Sequence, residues 1–324
     1  MVQASAIRIH KNGGPDVLKL ETIQISDPGP GEILVEQKAI GLNFIDTYIR
    51  SGLYPAKLPA TPGFEGAGRV IKLGEGVTEF SVGDRVAYSS FSGTYATHVK
   101  GPVAKAVKVP EGVSEEEAAC LMLKGMTAWM LLFEIAKVQP GDKLLIWAAA
   151  GGVGTLATRW AKALGAVVIG VVSTDEKAEL VKANGGDHVI LSSEDVPARV
   201  KELTGGKGVD VSIDGVGKDS AASSIDSLRP RGLYITYGNA SGAVEPIAPL
   251  VLQQKGSLMM TRPTLFHYTA ERADLDRAAA AVFGALKVGA IKAEIGQRYA
   301  LKDVAQAHID LEGRKTTGAT IIVP

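Results

Sequence analysis

The run Leu144-Leu145-Ile146-Trp147-Ala148-Ala149-Ala150-Gly151-Gly152-Val153-Gly154 limits what this chain can fold into more than any other segment. An apolar strand delivers a glycine-rich turn. A helix then begins at once, with Val153, Leu156, Ala157, Trp160, Ala161 and Leu164 at the 3.6-residue period. In such a turn a pyrophosphate can approach the backbone and accept from N–H groups at a helix N-terminus, where the dipole favours negative charge. The apolar stretch Val167–Val172 supplies the next strand, so the motif has the βαβ context that a dinucleotide site requires. Ala150, Gly151, Gly152 and Val153 are the residues expected against the cofactor. Ala149, Gly151 and Gly154 fill the three glycine places of the fingerprint, with Gly152 as an extra. Alanine at the first place suits a turn with φ below zero.

From Lys143 onward, strands are expected near 143–148, 167–172, 187–191, 209–213, 232–237 and 257–260, and helices over 153–164, 175–184, 194–203 and 218–228. This alternation predicts an α/β fold with a doubly wound parallel sheet of Rossmann type. The region before it reads differently. Short stretches (Ala6–Ile9, Ile33–Ala39, Gly68–Leu73, Arg85–Tyr88, Ala106–Val109) are separated by turns such as Asn12-Gly13-Gly14-Pro15 and Pro28-Gly29-Pro30-Gly31, which predicts a mostly β, barrel-like domain. Ser114-x-x-Glu117 is a capping box opening a helix towards Lys137. After it the chain is expected to form a helix from Thr269 towards Lys287, a helix near 302–312 and a strand at Ala319–Val323 that returns to the first domain. The expected domains are 1–123 with 268–324, and 124–267.

Composition excludes several function classes. Lys plus Arg equals Asp plus Glu at 35 each, so no net field draws the chain to nucleic acid or an anionic membrane. The single cysteine, Cys120, permits no intrachain disulfide and no thiolate-rich zinc site. With no signal-peptide pattern and no uninterrupted apolar run of about 18 residues, the expected setting is the cytoplasm.

A β domain ahead of a nucleotide-binding sheet resembles the medium-chain dehydrogenase/reductase superfamily. Four segments carry a closer resemblance to its zinc-independent NADPH:quinone oxidoreductase, or zeta-crystallin-like, branch: Lys38–Tyr48, Leu123-Lys124-Gly125-Met126-Thr127, Ala148–Gly154 and Tyr237-Gly238-Asn239-Ala240-Ser241-Gly242, with Thr261-Arg262-Pro263. The resemblance covers the whole chain and implies a GroES-like catalytic domain, a Rossmann cofactor domain and a homodimer. Matched motif to motif, the catalytic zinc ligands of the alcohol dehydrogenases fall at Asn43, at Phe64 and at Leu123. Phe and Leu have no lone pair to offer Zn²⁺, and Asn is a poor ligand beside imidazole or thiolate, so no metal is expected. Loss of the Lewis acid favours an acceptor that needs little help on oxygen. A quinone fits, because the hydroquinone anion formed by hydride addition is delocalised.

Sites that prefer NAD usually carry Asp or Glu after the second strand; here the matching residue is Val172. Ser173 can donate to a 2′-phosphate and Lys177 can supply positive charge, which points to NADPH, although Asp175 and Glu176 lie close by. Ser192 stands where related quinone reductases often have a tyrosine near this phosphate. The resemblance further implies that Asn43, Asp46 and Tyr48, expected in one loop, face the nicotinamide or substrate, with Asp46 as an orienter. It places Lys124 and Thr127 beside the cofactor, and Arg314 reaching back towards it. Tyr237, Gly238 and Asn239 follow the fifth strand, at the edge where open α/β sheets bind ligands. Tyr54 carries the main alternative. In enoyl-thioester reductases of the superfamily a tyrosine in this segment protonates the substrate, so an NADPH-dependent 2-enoyl or alkenal double-bond reductase is the competing reading. A third, from another class, is a dinucleotide-binding protein without turnover, recruited structurally or to bind RNA.

Overall fold

The computed structural model, which describes residues 1–324, separates the chain into two units. One is made of Met1–Met126, Thr269–Phe283 and Ala293–Pro324, the other of Thr127–Tyr268 and Gly284–Lys292. The first opens with an antiparallel ribbon, β1 (Val2–Arg8) on β2 (Lys19–Ile25). β3 (Glu32–Leu42) leads into helix α1 (Phe44–Ser51) and pairs antiparallel with β4 (Glu65–Leu73), which pairs with β5 (Arg85–Tyr88). β6 (His98–Pro102) lies on β3, and the two-residue β7 (Val107–Lys108) on β5. Ile33, Val35, Val70 and Val86 of these strands bury fully as one cluster with Phe91, which follows β5.

Helix α2 (Glu115–Trp129) starts at the predicted capping box. Glu117 donates its N–H to Ser114 Oγ at 3.2 Å, and the Glu117 carboxylate accepts the Ser114 N–H at 2.8 Å. The helix continues as a π-helical turn over Met130–Ile135. The combined stretch of 21 residues is long and apolar enough to cross a membrane by length and composition, but 78% of its most apolar window is buried within the protein. That is the environment of a core helix.

In the second unit, β8 (Lys143–Trp147), α3 (Gly152–Ala163), β9 (Val167–Val172), α4 (Asp175–Ala183), β10 (His188–Leu191), α5 (Val196–Leu203), β11 (Val209–Asp214), α6 (Ala221–Asp226), β12 (Leu228–Thr236), α7 (Pro249–Gln254), β13 (Met259–Thr261) and α8 (Leu265–Tyr268) follow one another. The sheet order is β10-β9-β8-β11-β12-β13, with every pair parallel. The chain moves outward from β8 to β10 and then returns to β11 beside β8. That reversal leaves a crevice beyond the carboxyl ends of β8 and β11, where open α/β sheets bind ligands. The chain closes with α9 (Arg272–Lys287), β14 (Ile295–Ala300), α10 (Val304–Glu312) and β15 (Ala319–Val323), the last pairing antiparallel with β3 and parallel with β14.

Candidate active site

In the first unit the site is assembled at the end of β3. Asn43, Asp46 and Tyr48, expected in a loop, instead start and line α1, which corrects the sequence reading. The cause is local. Asn43 keeps an extended backbone as the N-cap, its N–H donates to Asp46 Oδ2 at 2.9 Å, and Gly52 ends the helix with φ 88°. Asp46 is completely buried, and burial lifts its carboxyl to about 7, against the Asn43 N–H, the Tyr95 hydroxyl and the Lys124 charge, which favour the ionised form. Tyr48 is buried as well. Its ring meets that of the half-buried Tyr54 edge-on at 5.3 Å, so the two tyrosines share one place beside α1.

A residue outside the candidate set organises the rest. The Glu65 carboxylate, fully buried on β4, accepts from Asn43 Nδ2 at 2.9 Å, from Lys124 Nζ at 2.9 Å and from the Leu123 N–H at 2.6 Å. Across the sheet Glu65 faces Gly41, and a Cβ at Gly41 would overlap its carboxylate and come within 2.5 Å of the Ala119 carbonyl oxygen. Glycine there is what leaves room for the acid. Asn43 and Lys124 are therefore brought together by one buried anion, and Thr127 lies buried three residues further along α2. The Gly63-Phe64-Glu65-Gly66 motif was the sequence signal for Glu65, but its partners lie 22 and 59 residues away.

The resemblance matches Asn43, Phe64 and Leu123 to the metal-ligand places of the zinc-dependent alcohol dehydrogenases. Here the Asn43 amide is committed to Glu65, and the Lys124 ammonium already supplies the positive charge beside that carboxylate. No three His, Cys, Asp or Glu side chains form a group able to hold a metal ion. Cys120 is buried, and burial pushes its thiol up to about 12.

In the second unit, Ala148 turns the chain from β8 with φ 52°, and Gly151 caps α3 with an extended backbone. A Cβ at Gly154 would overlap the Ala148 carbonyl oxygen, so the third glycine place serves close helix-to-strand packing. No side chain caps α3, and its first turn carries no acid. The N–H groups at Gly152 and Val153, beside Ala150 and Gly151, thus meet the requirements of a pyrophosphate cradle. Ser192 donates its N–H to the Val172 carbonyl at 2.7 Å, which brings exposed Ser192 beside exposed Ser173 at the carboxyl ends of β10 and β9. Lys177 lies in the first turn of α4, its N–H on the Thr174 cap. Tyr237 donates its N–H to the Asp214 carbonyl at 2.8 Å, and Gly238 sits so close that a Cβ would overlap the Gly215 carbonyl oxygen. Tyr237, Gly238 and Asn239 thereby continue β12 beside the β11 loop. Arg314 belongs to the first unit, exposed just past α10 in a left-handed conformation, φ 58°.

Comparison with known proteins agrees with this fold. Residues 29–111 match the alcohol dehydrogenase GroES-like domain, and residues 152–291 match the zinc-binding dehydrogenase family. A quinone oxidoreductase of Pseudomonas aeruginosa is 48% identical, over 99% of this chain and 100% of its own. A 2-haloacrylate reductase of a Burkholderia species is 44% identical, over 100% of this chain and 99% of its own. The crystal structure of Escherichia coli quinone oxidoreductase complexed with NADPH superposes with a TM-score of 0.97 at 45% identity, covering 99% of this chain and 100% of that one. The chain belongs to the quinone oxidoreductases of the medium-chain dehydrogenase/reductase superfamily.

Proposed function

We propose that this protein is an NADPH-dependent quinone oxidoreductase that works without a catalytic metal. The observation that carries the reading is the Glu65 node, where Asn43 and Lys124 converge on one buried carboxylate. The full-length likeness to quinone oxidoreductases supports it. When bound, NADPH supplies a hydride from nicotinamide C4. In the second unit, Ala150, Gly151, Gly152 and Val153 would hold its pyrophosphate, and Ser173, Lys177 and Ser192 its 2′-phosphate. Tyr237, Gly238 and Asn239 would line the nicotinamide half, with Thr127 and Arg314 as further cofactor contacts. In the first unit, Tyr48 and Lys124 would offer donors to an acceptor oxygen, while Asp46 orients Asn43, whose amide holds the Glu65 carboxylate beside Lys124. Donors of this kind suffice where the product anion is delocalised; an alcohol-forming carbonyl would ask for more.

The test is steady-state NADPH oxidation with 1,4-benzoquinone and 9,10-phenanthrenequinone, each repeated with EDTA and with NADH. Quinone-dependent turnover that ignores the chelator and runs faster with NADPH is the expected result. The second reading, reduction of an activated C=C with Tyr54 as proton donor, is favoured by the Tyr54 ring beside Tyr48 and by the likeness to the haloacrylate reductase. Turnover of crotonyl-CoA or 2-chloroacrylate alone, lost in Tyr54→Phe, would replace the quinone reading. We also propose a homodimer joined through the edge strand β13, where Met259 is 55% and Met260 37% exposed. The solution mass decides it.

A further inference from the structure

The carboxylate of Asp46 is the end of a buried chain that crosses the first unit. Arg50, on α1, holds Glu312 through two bonds, Nη1 to Oε2 at 2.9 Å and Nη2 to Oε1 at 2.7 Å. Its Nη1 also lies 3.0 Å from His308 Nδ1. On the other edge of that ring, His308 Nε2 is 3.1 Å from the Tyr95 hydroxyl, which is 2.9 Å from Asp46 Oδ2. Arg50, His308, Tyr95 and Asp46 are all buried, whereas the Glu312 side chain is 37% exposed.

The direction of every bond follows from donor chemistry. Arginine only donates, so His308 Nδ1 is the acceptor. Burial and the Arg50 charge hold His308 down at about 3, so the ring is neutral and its one proton sits on Nε2. Nε2–H therefore donates to the Tyr95 oxygen, and the single hydroxyl proton of Tyr95 goes to Asp46. The Asn43 N–H arrives at the same oxygen, while Asp46 Oδ1 is buried with no hydrogen-bond partner. Oδ2 is pinned by two donors, and Oδ1 is the atom left to take a proton.

We propose that Tyr95, His308 and Arg50 are positioning residues of the active site: a one-way hydrogen-bond chain, anchored on Glu312, that ends on Asp46 and through it fixes Asn43. The role in catalysis rests on the quinone-reductase reading. The bonds to Oδ2 are strongest while Asp46 is ionised, so protonation at Oδ1 loosens the hold on the Asn43 N–H. The other charged groups bearing on Asp46 are Lys124 on α2, which favours the charge, and Glu65 on β4, which opposes it. Neither replaces the Tyr95 hydroxyl as a donor.

The experiment uses the full-length protein with 13C-labelled aspartate carboxyl groups, Asp46→Asn serving to assign the signal. The Asp46 carboxyl and the Asn43 backbone amide are followed against pH by NMR. kcat/KM for benzoquinone with NADPH is measured over the same range. In the wild type, Asp46, Asn43 and the acid limb of kcat/KM are expected to share one midpoint. Tyr95→Phe removes a bond to a charged acceptor and should move all three to higher pH by about one to two units. His308→Leu should move them the same way. His308→Gln presents an acceptor to Arg50 and a donor to Tyr95, and should return them towards the wild type. A merely structural role would lower activity without moving these midpoints.

An Asp46 midpoint unchanged in Tyr95→Phe overturns the proposal, and so does a kcat/KM profile with no limb at that midpoint. If the wild type turns over no quinone, the functional reading fails. The linked titrations of Asp46 and Asn43 then decide the positioning chain by themselves.

Discussion

Two aspartates, one in each unit, are equally buried and differently held. Asp214, at the end of β11, is surrounded by donors. The N–H groups of Val216 and Gly217 reach Oδ1 at 2.8 and 3.2 Å, Ser220 Oγ lies 2.8 and 2.7 Å from the two oxygens, and Ser224 Oγ and the Tyr234 hydroxyl each reach Oδ2 at 3.0 Å. Asp46, at the start of α1, has two donors on one oxygen and none on the other. A carboxylate satisfied on both oxygens is a fixed clamp, and here it shapes the loops after β11 and β12. A carboxylate satisfied on one side keeps an atom that can gain or lose a proton. The difference divides the labour. Asp214 holds the loops after β11 and β12 in a fixed arrangement, while Asp46, at the start of α1, carries an adjustable charge.

The largest effect follows from removing the clamp. Asp214→Ala takes the acceptor from two N–H groups, two serine hydroxyls and a tyrosine hydroxyl in a closed space, of which the Gly217 N–H keeps Ser220 Oγ and the Ser220 hydroxyl keeps the Gly217 carbonyl, each at 3.1 Å. At about 1–3 kcal/mol for each buried group left unpaired, partly relieved by relaxation, the expected loss of stability is about 5 kcal/mol. Urea unfolding at constant pH measures it. A loss below about 1 kcal/mol would mean that the donors do not depend on Asp214, and the contrast with Asp46 would collapse.

The next effect sharpens the other half of the comparison. The Asp46 carboxyl is raised from 3.8 to about 7 on folding, so its contribution to stability is full below 3.8 and is lost as pH rises through 7. His308 is lowered from 6.5 to about 3, so its contribution is present above 6.5 and is lost as pH falls towards 3. Between 3.8 and 6.5 the two slopes oppose each other and cancel. Asp46→Asn leaves His308 alone, and stability should fall towards acid by about 1.4 kcal/mol per pH unit relative to the wild type. His308→Gln leaves Asp46 alone, and stability should rise towards acid with a similar slope. Over the window each tilt amounts to roughly 3–4 kcal/mol. Unfolding midpoints at a series of pH values show it, and parallel slopes in the two variants would break the pairing.

A smaller effect is expected at Gly41, which gives Glu65 its room. Gly41→Ala should cost about 2 kcal/mol of stability through overpacking. It should also lower quinone turnover by at least about tenfold, because the Asn43 and Lys124 donors lose their common anchor. If turnover is retained while stability falls, Glu65 is a fold residue and not an organiser of the site.

These residues also mark what was legible before the structure was known. Strands over Arg85–Tyr88, Val167–Val172 and Ala319–Val323 follow their apolar runs to the residue, because turns or glycines punctuate both ends. The glycine-rich turn placed its helix for the same local reason. Helix α1 was missed: at eight residues it is too short to show a period, and its signals were only the Asn43-x-x-Asp46 spacing and Gly52. Strands β2 and β14 were missed because half or more of their positions are exposed or polar. Asn43, Asp46 and Lys124 were singled out from the motifs that carry the resemblance, and the structure links Asn43 to Asp46 directly and to Lys124 through Glu65. Tyr95 and His308 were not, since they meet across 213 positions of sequence and Arg50 reaches His308 across 258. The return of the tail to the first domain was expected, but which side chains of α10 meet Tyr95 and Arg50 is set by packing that no local pattern encodes.

The smallest effect tests the exposed groups at the ends of β9 and β10, which the proposed reading sets against the 2′-phosphate. Ser173 and Ser192 come together at the ends of β9 and β10, and Lys177 stands in the first turn of α4. A cation there would distinguish NADPH from NADH only through the 2′-phosphate. Being partly exposed, it should be worth about 1 kcal/mol or less. Lys177→Ala is expected to lower kcat/KM for NADPH by about fivefold and to leave NADH within about twofold. An equal loss with both cofactors would place Lys177 on the shared part of the dinucleotide. The preference would then rest on Ser173, Ser192 and the missing carboxylate at Val172, working against Asp175 and Glu176 in the same turn of α4.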